Sequence, residues 1–171
     1  MLIEVVLSEL AEAKEAPLRR LVAYDPDTHP LVLLLLVEDS NPLVRRALAR
    51  RPNLPGLLWF PLANDSSLVV RRTLAAHPKV PPEILARLAG DKAISVRLAV
   101  ATHPRTEETI LEALAHDREP IIRLTVVARQ DISIQLLERL GQSDNHRAVR
   151  RASLTRLRQQ PPTHPITEVP F

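Results

Sequence analysis

Several residue types recur every 26 positions along this chain of 171 residues. Asp39, Asp65, Asp91 and Asp117 keep that spacing, as do Arg45, Arg71, Arg97 and Arg123. Leu36, Leu62, Leu88, Leu114 and Leu140 follow it, with Pro26, Pro52, Pro78 and Pro104, and with Val44, Val70, Val96 and Ile122. One inserted residue then shifts the frame, and Asp144, Val149 and Arg150 resume it. Independent columns in one register define an internal repeat, and that constrains the fold more than any composition. A unit this short cannot bury an apolar face alone, so its neighbours must stack on it.

Each unit reads as two short helices. In the clearest copy, residues 80–103, Pro81-Pro82-Glu83 opens a helix, because proline is tolerated in the first turn and an acid suits the positive helix end. Ile84, Leu85 and Leu88 share one face at helical spacing, and Gly90-Asp91 closes the helix. Val96, Ala99 and Val100 form the stripe of the second helix, which His103-Pro104 ends because the residue before proline is pushed out of the helical region. In the next copy Thr106 takes the N-cap position, with Glu107 and Glu108 behind it. The 16 prolines against 3 glycines are thus punctuation between helices. The expected fold is all-α, a right-handed α-solenoid of about five two-helix repeats. Its expected parts are an N-terminal capping helix at 1–15, the repeat domain at 16–157 and a proline-rich extended tail at 158–171. The first repeat is imperfect, since Ala13 stands where the aspartate would be.

The stretches VRRTLAAHPKVPPEILARLAGD (70–91) and VRLAVATHPRTEETILEALAHD (96–117) resemble the leucine-rich-repeat variant family. That resemblance implies a HEAT-like superhelix alternating α and 3₁₀ helices. The 26-residue unit is longer than the family's usual repeat, so the first helix is expected to be fully α. One type of member carries a cysteine-ligated iron–sulfur cluster; with no cysteine here, that cofactor, disulfides and cysteine nucleophiles are excluded. No cofactor is expected.

HEAT repeats also place Asp and Arg six apart. The resemblance therefore implies that Asp39/Arg45, Asp65/Arg71, Asp91/Arg97, Asp117/Arg123 and Asp144/Arg150 form a structural ladder joining successive units. Arginine suits this because its planar fork can bond a carboxylate and a backbone carbonyl together. Carboxylates so regularly matched to arginine are poor general bases.

The next column reads Arg46, Arg72, Leu98, Leu124, Arg151. It lies about 200° from the buried Val44 stripe. One turn on stand Arg50, Ala76, Thr102, Ala128 and Thr155. By analogy with HEAT proteins the second helix lines the concave side. The candidate partner-binding residues are therefore Arg46, Arg50, Arg72, Leu98, Leu124 and Arg151, with the two leucines either an apolar centre or packed on neighbours. His77 and His103 belong to a polar column with Asp25, Arg51 and Arg129, which favours capping over metal binding. Trp59 occupies a leucine column and is expected in the core. Leu34, Leu35 and Phe60 fall on the outer face, covered by an amphipathic N-terminal helix or available for self-association.

Lys+Arg exceed Asp+Glu by 23 − 20 = 3. Residues 1–16 are acidic and 141–160 basic, so a head-to-tail contact between copies is a further possibility. No apolar run approaches the roughly 20 residues of a bilayer span, and the first residues lack a basic leader. A cytoplasmic protein is expected, with no membrane partner. No catalytic constellation, glycine-rich phosphate loop or metal-ligand spacing is present. The reading is a non-catalytic scaffold, not an enzyme, binding an unidentified protein or peptide on its concave face. The alternative is non-specific nucleic-acid binding through the arginine ridge. A remote alternative is a HEAT-like DNA glycosylase, for which a concave carboxylate beside Trp59 or Tyr24 would be the sign.

Overall fold

The computed structural model describes residues 14–159, and every regular element among them is helical. Of the expected capping helix at 1–15 and tail at 158–171, residues 1–13 and 160–171 lie outside the described residues, and the last helix runs to Arg158. The helices are α1 (Ala16–Tyr24), α2 (Pro30–Leu36), α3 (Pro42–Ala49), α4 (Trp59–Ala63), α5 (Leu68–Ala75), α6 (Pro82–Ala89), α7 (Ile94–Thr102), α8 (Glu108–Leu114), α9 (Pro120–Ala128), α10 (Ile134–Ser143) and α11 (Arg147–Arg158). A single 3₁₀ turn, Gly56–Leu58, precedes α4. The first helices α2, α6, α8 and α10 are α throughout, as the longer repeat led us to expect, but that of the second repeat departs from it, opening with the 3₁₀ turn before the short α4.

The chain divides into two compact units, Met1–Thr106 and Glu107–Phe171. In the first unit the second helices of successive repeats, α1, α3, α5 and α7, pack side by side, and the first helices α2, α4 and α6 lie against them. In the second unit α9 and α11 pack together in the same manner, with α8 against α9 and α10 against α11.

The repeat columns explain the core. Val44, Val70, Val96, Ile122 and Val149 have no exposed surface, and Leu36, Leu62, Leu88, Leu114 and Leu140 are buried beside them. Trp59 is buried as its column required, and its ring meets that of His77 edge-on at a centroid distance of 5.0 Å. The prolines terminate helices as expected: α7 stops at Thr102 and His103 turns extended (ψ 130°) before Pro104.

Thr106 departs from its expected role. Glu107, with extended backbone, caps α8. Thr106 is buried, and its hydroxyl donates to the Val100 carbonyl at 2.6 Å. Thr28 does the same to Val22 at 2.7 Å. Both threonines occupy a buried column that otherwise holds Leu54, Val80 and Ile132, and the hydroxyl is tolerated there because it is bonded.

Candidate binding face on the second helices

Two adjacent arginine columns leave the second helices in different directions, and the first is consumed by the fold. Arg45 donates from Nε and Nη2 to the two carboxylate oxygens of Asp65, at 2.6 and 2.8 Å, twenty residues ahead. Its Nη1 donates to the Asp39 carbonyl, six residues back, at 2.5 Å. Arg71 repeats the pattern on Asp91 (2.6 and 3.1 Å) and the Asp65 carbonyl (2.6 Å). Arg123 repeats it in the second unit on Asp144 (2.7 and 2.8 Å) and the Asp117 carbonyl (2.7 Å).

Arg19 adds a rung outside the expected set, on Asp39 at 2.5 and 3.0 Å. Its Nη1 donates to the Lys14 carbonyl at 3.2 Å, as Arg71 and Arg123 do to the carbonyl five residues back. Arg97 donates to the Asp91 carbonyl at 2.7 Å, and Arg150 to the Asp144 carbonyl at 2.6 Å.

Each aspartate has a second duty. Its Oδ1 accepts the backbone N–H two residues on, from Asn41, Ser67, Ala93, Glu119 and His146 at 2.7–2.9 Å. Those bonds fix the turn that starts the second helix.

Burial pushes the Asp39 and Asp91 carboxyls up, but the arginine forks and the Asn41 and Ala93 N–H groups outweigh it and leave both below the usual carboxylate range. The Arg123 hydrogen bonds hold Asp144 down, against its burial. These carboxylates are tied down as charged structural groups, which suits a ladder and not a proton-transfer site.

The polar column of Arg51, His77 and His103 forms a second tie between repeats. Arg51 donates to the carbonyls of Ala23 (3.3 Å), Asp25 and Pro26 (2.7 Å) in the preceding repeat. His77 Nε2 donates to the Arg51 carbonyl at 2.8 Å, and His103 Nε2 to the His77 carbonyl at 3.2 Å. The Nδ1 atoms accept the N–H of Lys79 and Arg105, at 3.0 and 3.2 Å, which fixes the Nε2–H tautomer. In the second unit Arg156 donates to the Val127 carbonyl at 3.1 Å. These side chains cap, as expected, but the helix end they reach lies one repeat back. Among the described residues no three His, Cys, Asp or Glu side chains gather to hold a metal.

The second arginine column is left over. Arg20, Arg46 and Arg72 each follow a ladder arginine by one residue and make no hydrogen bond or ion pair among the described residues, and the same holds for Arg50 and Arg151. About 100° of helical rotation separates each from its ladder neighbour.

A groove of about 400 Å³ on α3 and α5 is lined by Arg46, Arg50 and Arg72 with Ala49, Val69 and Ala76 among the rest. A contiguous one of about 310 Å³ on α1 and α3 shares Arg46 and Arg50 and adds Arg20, Leu21, Tyr24 and Leu43. No carboxylate lines either groove. Arg46 is half-buried, and its Nε is shielded without a partner. In the second unit Leu124 and Arg151 line a shallower groove of about 550 Å³ on α9 and α11.

The expected site residues therefore fall into two groups: Arg46, Arg50 and Arg72 come together in the first unit, Leu124 and Arg151 in the second. Leu98 and Leu124 are half-buried, packed partly against neighbouring side chains. Arg20 and Tyr24 were not among the expected site residues, although each stands 26 before one that was, Arg46 and Arg50. The degenerate first repeat hid them. Tyr24 faces a groove of arginines with no acid beside it, and Trp59 is in the core, so the glycosylase constellation is not assembled at either residue. Leu34, Leu35 and Phe60 are exposed, as their outer-face column required. No helix among the described residues is long and apolar enough to cross a membrane.

Paired helices in a fixed register, tied by side-chain ladders, define a helical-repeat protein. Residues 95–119 match the leucine-rich repeat variant family model, covering the 96–117 stretch whose sequence carries the resemblance. A solved structure described as a leucine-rich repeat variant with a novel repetitive protein structural motif is similar at 22% identity, over 91% of this chain and 82% of that one, with a TM-score of 0.48. No curated protein matches the chain.

Proposed function

We propose that this chain is a non-catalytic repeat scaffold that binds a protein or peptide partner along its second-helix face. The observation that carries the reading is the split fate of the arginine pairs. Arg19, Arg45 and Arg71 are used up in the ladder, while Arg20, Arg46 and Arg72 stand beside them without a partner among the described residues, as does Arg151 beside Arg150. A fold that needs only one arginine of each pair leaves the other for a ligand. Apolar side chains alternate with the free guanidinium groups, Leu21, Leu43 and Val69 in the first unit and Leu124 in the second. Mixed apolar and cationic surface of this kind suits a polypeptide, whose side chains bring both characters. A ribbon of phosphates would use the arginines and leave the leucines idle.

The test is to pan a random peptide library on the full chain and compare it with an Arg46→Glu/Arg72→Glu/Arg151→Glu variant. Enriched peptides that bind the parent and not the variant support the reading. A library that enriches nothing, beside salt-sensitive binding of duplex DNA to the parent alone, replaces it with nucleic-acid binding.

A further inference from the structure

The first-unit grooves have a period, and the period selects an occupant. Arg20, Arg46 and Arg72 are equivalent residues on α1, α3 and α5, three helices packed side by side. Packed helices lie roughly 8–10 Å apart, so the three backbone positions that carry these arginines recur at about that interval. An extended strand presents same-side residues every ~6.6 or ~13.2 Å, which misses the interval. A strand would also seek a sheet edge, and the described residues contain no sheet. A polyproline-II segment rises about 3.1 Å per residue with three residues per turn, so every third side chain lies on one side, about 9.3 Å apart. That matches.

The apolar surface agrees with such a segment. Leu21 (66% exposed), Tyr24 (53%) and Leu43 (46%) form an open shelf in the same groove as Arg20 and Arg46. Polyproline-II ligands dock on apolar grooves that carry aromatic side chains, here Tyr24 between two leucines, because their backbone is already extended and loses little entropy.

Arg46 supplies an independent sign. It lies in both grooves, and its Nε is buried without an acceptor, a state that costs free energy. Swinging it onto a ligand carboxylate would give Nε and an Nη group the side-on bidentate pairing that Arg45 makes with Asp65.

Resting on the protein-binding reading above, we infer that Arg20, Arg46 and Arg72, with the Leu21–Tyr24–Leu43 shelf, recognise a proline-rich segment of a partner protein that carries a carboxylate at every third residue. The occupant is acidic because the cations lie unpaired in grooves without a carboxylate, and extended because of the spacing. Single-stranded nucleic acid is the lesser fit, since Tyr24 is the one exposed aromatic ring in the two grooves, the His77 ring being buried against Trp59, and successive bases need successive rings.

The experiment uses the full chain and fluorescence anisotropy with labelled peptides of one length and one glutamate count. In one the glutamates fall at every third position of a proline background, in another at every second, and in a third they are clustered; a thymidine oligonucleotide of the same length completes the set. We expect the every-third peptide to bind about tenfold more tightly than the clustered one, the factor that roughly 1.4 kcal/mol supplies. Arg46→Ala should abolish the preference, and Arg46→Lys should restore charge without restoring it. Equal binding of the three peptides overturns the inference and leaves the protein-binding reading standing. Binding of the oligonucleotide with none of the peptides overturns both.

Discussion

Replacing Arg71 tests the division of labour between neighbouring arginines. Arg71 donates to both Asp91 oxygens, to the Asp65 carbonyl and to the Ser66 carbonyl at 3.1 Å. Its side chain and that of Asp91 are each 7% exposed. Arg71→Ala leaves a buried carboxylate with only the Ala93 N–H, and two carbonyls short of a donor. Removing one partner of a buried pair costs about 3–5 kcal/mol, because the other charge stays behind in a poorly solvated site. For a chain of this size that lowers the melting temperature by roughly 6–20 °C. Arg72→Ala, one residue on, removes an exposed side chain with no partner and should change stability by no more than about 0.5 kcal/mol. Urea unfolding followed by far-UV circular dichroism measures both. Arg71→Met combined with Asp91→Leu should recover most of the loss, since the cost lies in the orphaned charge. The reasoning fails if Arg71→Ala costs less than about 1 kcal/mol, the value of an exposed ion pair, or no more than Arg72→Ala.

Acid should loosen the repeats through the ladder. Asp39, Asp91 and Asp144 titrate below their usual range when folded, so the unfolded chain takes up protons first as pH falls. Their contribution is complete above the unfolded carboxylate range, near pH ~4, and is lost as pH drops through the lowered folded values. The urea midpoint should therefore be level from neutral to mildly acidic pH and fall below it; a midpoint that rises on acidification contradicts the ladder. His77→Ala removes the donor to the Arg51 carbonyl, the acceptor for Lys79 N–H and the ring against Trp59. It should cost on the order of 2 kcal/mol and shift the emission of the single tryptophan, whereas an unchanged spectrum and midpoint would remove the histidine from the inter-repeat tie.

The fold was legible because stacking imposes one environment per column. Val44, Val70, Val96, Ile122 and Val149 are all fully buried, and a β-branched apolar side chain stands at all five positions. What the column view missed is direction across the repeat boundary. Asp65 and Arg71 are six apart in sequence, yet Arg71 takes only the Asp65 carbonyl and sends its fork twenty residues on to Asp91. Spacing in the chain cannot tell a partner within the unit from one in the next, because a regular array offers both at every step. Thr106 failed for a related reason: its polarity signalled a cap, whereas its buried column needed only a bonded hydroxyl. Leu98 and Leu124 were expected to point away from the buried stripe, but the side-by-side packing of second helices leaves them half-buried, which the angle on one isolated helix does not convey.

The candidate face was legible only where the repeats were regular, and this bears on how such a chain can diversify. The ladder fixes Arg45 and Asp65, Arg71 and Asp91, Arg123 and Asp144, and with them the stacking of each unit. The residue after each ladder arginine is Arg46, Arg72 or Leu124, and none of these side chains hydrogen-bonds to the ladder. Arginine and leucine are therefore interchangeable there at little cost to the fold, as exposed or half-exposed helix positions are. A binding surface built on this column can change its charge pattern repeat by repeat while the spacing between positions stays that of the packed helices. On the proposed reading, the scaffold would set the period of a ligand, and one residue in each repeat its chemistry.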